Sequence, residues 1–177
     1  HIFPYTTLFR SLALKDSQFS EAAEHFAHAL EMASDGGGDA LALAIMRDNL
    51  GYCLMCTGKV ADGFALCRDA AAALEATGSR QFLPEVYQDL CYGALEEGNL
   101  AEARQHGERA LALAAEFGSE TVERNTLMLL ADAALDADDE DAADECLGRL
   151  SAHYPDFRGM KTFLRSFNVR KVINLKV

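Results

Sequence analysis

The stretch Ser79–Gly118, SRQFLPEVYQDLCYGALEEGNLAEARQHGERALALAAEFG, decides how the rest of this 177-residue chain is read. Its neighbours are copies of it: Gly38, Gly78 and Gly118 recur at 78 − 38 = 118 − 78 = 40 residues. Each glycine precedes a residue that suits a helix start, Asp39, Ser79 or Ser119. Leu50, Leu90 and Leu130 keep the same step, as do Gly58 and Gly98, with Asp138 at the third place. A fixed period of this length signals stacked supersecondary units. Within the unit, Leu83, Val86, Tyr87, Leu90, Cys91 and Ala94 fall at steps of three and four, the apolar stripe of an amphipathic helix. Gly78 suits a left-handed helix stop, and Ser79 can cap the next helix. Pro84 fits a first helical turn, or bends a helix that already starts at Ser79. Gly98-Asn99 breaks the helix. A second begins near Leu100, turning Ala103, Ala110 and Leu111 inward, with Gly107 permitting close approach. The unit is an antiparallel helix pair.

The same reading places helices at about 39–57, 60–77, 80–97, 100–117, 120–137 and 140–152. The three prolines and the abundance of Ala, Leu and Glu agree with an all-α chain. Although 50% of residues are apolar, no uninterrupted run approaches the ~20 residues of a membrane span. The net charge of −12 opposes binding to nucleic acid, whose phosphates it would repel.

At this point the residues resemble the tetratricopeptide repeat family. The segments DLCYGALEEGNLAEARQHGERALALA and NLGYCLMCTGKVADGFALCRDAAAAL carry its Leu-small pair, Gly turn, early small residue and late Ala in the second helix. LLADAALDADDEDAADECLGRLSAHYP is a weaker copy ending at Pro155, and FSEAAEHFAHALEMA fits only a second helix, through Ala22, Phe26, Ala29 and Leu30. The step exceeds the ~34 residues usual for the family and is similar to the long variety of bacterial activators and signalling proteins. The resemblance implies helix pairs stacked into a right-handed superhelical solenoid over 12–155, with a partial first repeat and repeats at about 39–78, 79–118 and 119–155. It implies a non-catalytic protein- or peptide-binding scaffold or, alternatively, a structural or sensory segment of a larger bacterial transcriptional or signalling regulator.

In such arrays the first helices line a concave surface. Carried over by register, that surface comprises Asp48, Tyr52 and Met55; then Glu85, Gln88, Asp89, Tyr92, Leu95 and Glu96; then Asn125, Met128, Asp132, Leu135 and Asp136. Tyr52 and Tyr92 share one repeat place, a candidate aromatic ledge. Six acids on this face point to a basic or mixed apolar/basic protein or peptide partner. Family members that grip a terminal carboxylate use a lysine clamp; Asp48, Gln88 and Met128 stand where a clamp lysine would sit, so that specificity is not expected.

The ends differ from the middle. Pro4–Ser11 looks like the translation of a sequencing-adapter oligonucleotide, so residues 1–11 are set apart and the natural N-terminus is expected upstream. Leu12–Asp16 then reads as the stump of a first helix whose partner spans about Ser20–Ala33. Residues 156–177 read as a capping helix in DFRGMKTFLRSF, with Met160, Phe163, Leu164 and Phe167 on one side, followed by a basic tail with strand-like alternation at Ile173, Leu175 and Val177. The stretch 158–177 holds six basic residues and no acid, whereas 12–157 holds 9 Lys/Arg against 28 Asp/Glu, or −19. Two roles compete for the tail: an intramolecular contact with the acidic face, and simple capping of the last helices. A missing upstream domain is a further candidate contact.

Other motifs are weak. Cys53-Leu54-Met55-Cys56 lies late in a helix, away from the N-terminus that would activate a redox thiol, and no second ligand pair completes a zinc site. The five cysteines are expected as structural thiols suited to the cytoplasm. Gly36-Gly37-Gly38 lacks the Lys-Ser/Thr and preceding strand of a phosphate cradle. His25 and His28 beside Glu21 and Glu24 read as surface residues. Asp136–Glu145 lacks the glycine and final Glu of a calcium loop and reads as an interhelical turn, with Asp138 or Asp139 as a cap. No catalytic residue, metal or cofactor is expected.

Overall fold

In the computed structural model, residues 3–154, 159–166 and 170 are described; of these, 3–17, 160, 163 and 166 are described by backbone alone. Every regular element among them is a helix. The chain forms two compact units, His1–Gly78 and Ser79–Val177.

The first unit contains α1 (Phe3–Asp35), α2 (Ala40–Cys56) and α3 (Val60–Thr77). Asp39 caps α2 by accepting from the Ala42 amide at 3.1 Å, and Gly78 ends α3 in the left-handed conformation. The helices α2 and α3 cross where both carry glycine. A Cβ on Gly51 would lie 2.6 Å from the Gly63 carbonyl oxygen, and one on Gly63 would lie 2.3 Å from that of Gly51. Only hydrogen fits between these backbones. Beside them Ala23, Leu50 and Cys53 form a core packed by Phe19, Ala22, Phe26 and Leu30 of α1 and by Leu54 and Leu66. Phe19 meets the Tyr52 ring edge-on, at 5.6 Å between centroids.

One expectation is corrected here, and one repeat glycine differs from its counterparts. The stump at Leu12–Asp16 and the partner at about Ser20–Ala33 are one helix, α1. Nothing between Asp16 and Ser20 breaks it: Ser17, Gln18 and Phe19 include neither glycine nor proline. Gly38, which shares the 40-residue step, is not left-handed; Gly37 is, at φ 70°. Gly38 instead passes close to α1, where a Cβ would meet the Ala33 carbonyl oxygen at 2.7 Å.

The second unit contains α4 (Leu83–Glu96), α5 (Leu100–Phe117), α6 (Glu120–Asp136), α7 (Glu140–Leu150) and α8 (Met160–Ser166). A 3-10 turn at Arg80–Phe82 precedes α4, so Pro84 falls in the first turn, where its missing N–H costs nothing. Asn99 accepts from the Glu102 amide to cap α5, and Asp139 from the Ala142 amide to cap α7. The acidic stretch 136–145 is thus the turn between α6 and α7 and the start of α7. Here α4 packs on α5 and α6, and α6 on α5 and α7. The core includes Leu83, Val86, Leu90, Leu95, Ala103, Ala110, Leu113, Leu127, Leu129, Ala143 and Leu150. Leu111, expected inward, is only half-buried; Leu113 and Ala114 take the inward places. The helix α8 sets Leu164 into the core, while Lys161 pairs with Asp144 at 2.8 Å and with Glu140, and Arg165 also pairs with Glu140.

The strand-like stretch at Ile173, Leu175 and Val177 lies outside the described residues, as do Pro155 and Phe167.

Candidate acidic site at the ends of two helices

Of the fourteen candidate face residues, Asp48, Tyr52 and Met55 lie on α2 in the first unit; the others lie on α4 and α6 in the second. Much of this face is not open. Asp48, Tyr52, Met55, Gln88, Asp89, Tyr92, Leu95 and Asp132 are buried. Glu85, Asn125, Met128 and Leu135 are half-buried; Glu96 and Asp136 are exposed.

The structure draws part of the set together around one side chain from the tail. Arg170 donates from Nε to Asp132 Oδ2 at 2.6 Å, from Nη1 to the Leu95 carbonyl at 3.3 Å, and from Nη2 to Asp136. The acceptors sit at the C-terminal ends of α4 and α6, where the last carbonyls of a helix lack intrahelical partners and the dipole favours a cation. Leu95 accepts from the Gly98 amide as well, using both lone pairs of its oxygen. Arg170 and Asp132 are largely withdrawn from water, with side-chain exposures of 16% and 12%. Burial pushes the Asp132 carboxyl above its usual range, against the opposing pull of the Arg170 guanidinium.

Asp132 stands at the repeat place of Tyr52 and Tyr92, 40 residues on in each case. The expected aromatic ledge therefore changes character in the last repeat: an anion replaces the ring, and a cation covers it. The charge excess of the tail pointed to this segment, but no sequence pattern singled out Arg170 among its six basic residues.

Sequence reasoning missed a second feature. A cleft of about 380 Å³ lies between α5 and α7, with α6 as its floor. Small side chains make it: Ala101, Ala133, Ala134, Ala137 and Ala142 leave a depression that Leu100, Leu111 and Leu130 only partly fill. Its rim carries both signs of charge, with Arg104 bonded to Glu108 at 3.0 Å and Arg149 to Glu123 at 3.2 Å. The run of alanines was the available signal.

Burial pushes the Cys91 thiol up to about 12, despite the opposing effect of Arg170, and burial also raises the half-buried Cys146. Neither is poised as a thiolate. Cys53 belongs to the core beside α1, and Cys67 donates weakly to the Asp48 carbonyl at 3.8 Å. Among the described residues, no group of three His, Cys, Asp or Glu side chains is placed to hold a metal ion, and no helix is long and apolar enough to cross a membrane.

No family model matches the chain, and no curated protein matches it in sequence.

Proposed function

We propose that this chain is a non-catalytic interaction scaffold, a tetratricopeptide-like solenoid whose first-helix surface takes a basic, partly apolar segment of a protein partner. The observation that carries the proposal is the seating of Arg170 on Asp132, Asp136 and the Leu95 carbonyl. A cation from a segment remote in sequence already sits where α4 and α6 concentrate negative charge. The same helices carry the half-buried Met128 and Leu135 and the exposed Glu96 among the candidate face residues, a mixture suited to alternating apolar and basic side chains. The 40-residue helix-pair period supports the repeat architecture. Nucleic acid is disfavoured by the charge of −12.

The test is a titration of the full chain into a fluorescein-labelled peptide RSFNVRKVINL, followed by anisotropy. Binding is expected to weaken between low and physiological salt, since the contact is partly ionic and screening reaches ~8 Å at the higher strength. Replacing both Asp132 and Asp136 by Lys is expected to abolish it. Absence of binding at millimolar concentration to every form of the chain, including Arg170→Ala, overturns the scaffold reading.

A further inference from the structure

Resting on that reading, we infer that the site at the ends of α4 and α6 selects a guanidinium over an ammonium, and that Arg170 occupies it in cis as a displaceable stand-in for a partner's arginine. The geometry carries the selectivity. Three different nitrogens of one guanidinium meet three acceptors on two helices: Nε on Asp132, Nη1 on the Leu95 carbonyl and Nη2 on Asp136. A planar fork meets these positions with three separate nitrogens in fixed directions, whereas an ammonium must bring all its donors from one nitrogen, a compact point charge without that fork. Two of the acceptors are carboxylates, which match the charge. The third is a main-chain carbonyl at a helix end, which no side-chain substitution removes and which prefers a cation. The site therefore reads an arginine from its shape as well as its charge.

The cis occupancy follows from where the parts come from. Arg170 lies 34 residues beyond Asp136 and 75 beyond Leu95 in sequence. It follows α8, whose own cations are engaged elsewhere, Lys161 and Arg165 on Glu140 and Lys161 also on Asp144. The anchorage of α8 on α7 is thus separate from the Arg170 contact. Loss of Arg170 from its acceptors leaves the α8 ion pairs in place. An arginine from another chain competes with a tethered one, and the apparent affinity for it is the intrinsic affinity multiplied by the fraction of molecules in which Arg170 has already left.

The experiment uses the full chain in three forms: wild type, Arg170→Ala and Arg170→Lys. Two labelled probes are RSFNVRKVINL and the same peptide with lysine in place of the arginine equivalent to Arg170. Helicity by circular dichroism is recorded for each form. Arg170→Ala is expected to bind the arginine probe about tenfold more tightly than wild type, and to bind the lysine probe about tenfold more weakly than the arginine probe. Arg170→Lys, which keeps the charge and loses the fork, is expected to fall between wild type and Arg170→Ala; it carries the comparison should the alanine form lose helicity. Equal affinity of wild type and the folded Arg170 variants for the arginine probe overturns cis occupancy. Equal affinity for the two probes overturns guanidinium selection. If no form binds either probe, the scaffold reading itself falls, a result distinct from both.

Discussion

The first complete helix pair, α2/α3, and the last, α6/α7, hold the same repeat places and fill them with different chemistry. At the helix crossing the first pair has Gly51 against Gly63; the last has Ala131 and Ala143, both fully buried. At the ledge the first pair has Tyr52, touched edge-on by Phe19, and the last has Asp132, bonded to Arg170. At the interhelical turn the first has Gly58 with φ 88°, and the last has Asp138 with φ 56°. The backbone conformation at the turn is kept while the residue changes. The architecture thus constrains size at the crossing and torsion at the turn, but leaves the ledge free to diverge. Divergence at that place is where a specific contact has been built.

The crossing gives the largest expected effect. In Gly63→Ala the new methyl would lie 2.3 Å from the Gly51 carbonyl oxygen and 2.9 Å from the Met55 amide nitrogen, both backbone atoms of α2. The helices must separate, so a loss of about 3 kcal/mol is expected in urea unfolding. The mirror change in the last pair, Ala143→Gly, adds space and backbone freedom only, at about 1 kcal/mol. A cost of Gly63→Ala no larger than that of Ala143→Gly would show that the α2/α3 spacing is soft and that the comparison fails at the crossing.

The ledge comes next. Arg170→Ala leaves Asp132 buried with fewer partners and is expected to cost about 2 kcal/mol at neutral pH, the scale of charged hydrogen bonds. Its pH dependence has a definite sign. Burial already raises the folded pKa of Asp132 above its ordinary 3.8, and Arg170 holds it down. A carboxyl raised by folding contributes stability that is full below its unfolded value and is lost as pH rises through its folded value. Removing Arg170 lifts the folded value further, so both proteins start losing this contribution at the unfolded value, but wild type completes the loss at its own folded value and the variant only at its higher one. The difference between the two proteins is then full above the variant's Asp132 pKa and closes as pH falls to the wild-type folded value, itself above 3.8. Urea midpoints measured across that range check it; a deficit unchanged on acidification would assign the loss to packing of the arginine stem, with no part for the carboxylate.

These contrasts also explain what was legible before the structure. The 40-residue step fixed the helix pairs because glycine, asparagine and aspartate stop and cap helices by local rules, and Asn99, Asp139 and Gly118 act where those rules put them. The break expected before Ser20 failed because it rested on the imagined partner of a repeat, with no local breaker at Ser17–Phe19 to make it. The face residues were chosen by register, and register cannot tell an open surface from a covered one. Asp89 is fully buried and Asp136 exposed, although both were assigned to the same side. Arg170 was illegible for a related reason: a contact spanning 75 residues leaves no periodic trace. The cleft beside α6 depends on what small side chains fail to fill, and a pattern of alanines reads equally as close packing.

The turn gives the smallest effect and the finest test of whether the repeats are equivalent in torsion. Gly58 and Asp138 both adopt positive φ. For an L-residue this region costs roughly 1–2 kcal/mol, less for aspartate, whose short side chain bonds locally. Gly58→Ala is therefore expected to destabilise by about 1 kcal/mol, because the glycine has no Cβ to strain and the alanine has no polar group to compensate. Asp138→Gly relieves the strain in the folded chain. It also frees the unfolded chain, a loss of about 0.4–1 kcal/mol, and removes an acid one residue before the Asp139 cap, where the α7 dipole favours negative charge by about 0.3 kcal/mol or more. The opposing terms leave a net change within about 0.5 kcal/mol of zero. Paired urea melts of the two variants measure the contrast. If Asp138→Gly stabilises by more than 1 kcal/mol, the last turn is held under strain that the first does not carry; if Gly58→Ala is neutral, positive φ is not needed at this place, and the equivalence of the two turns is lost.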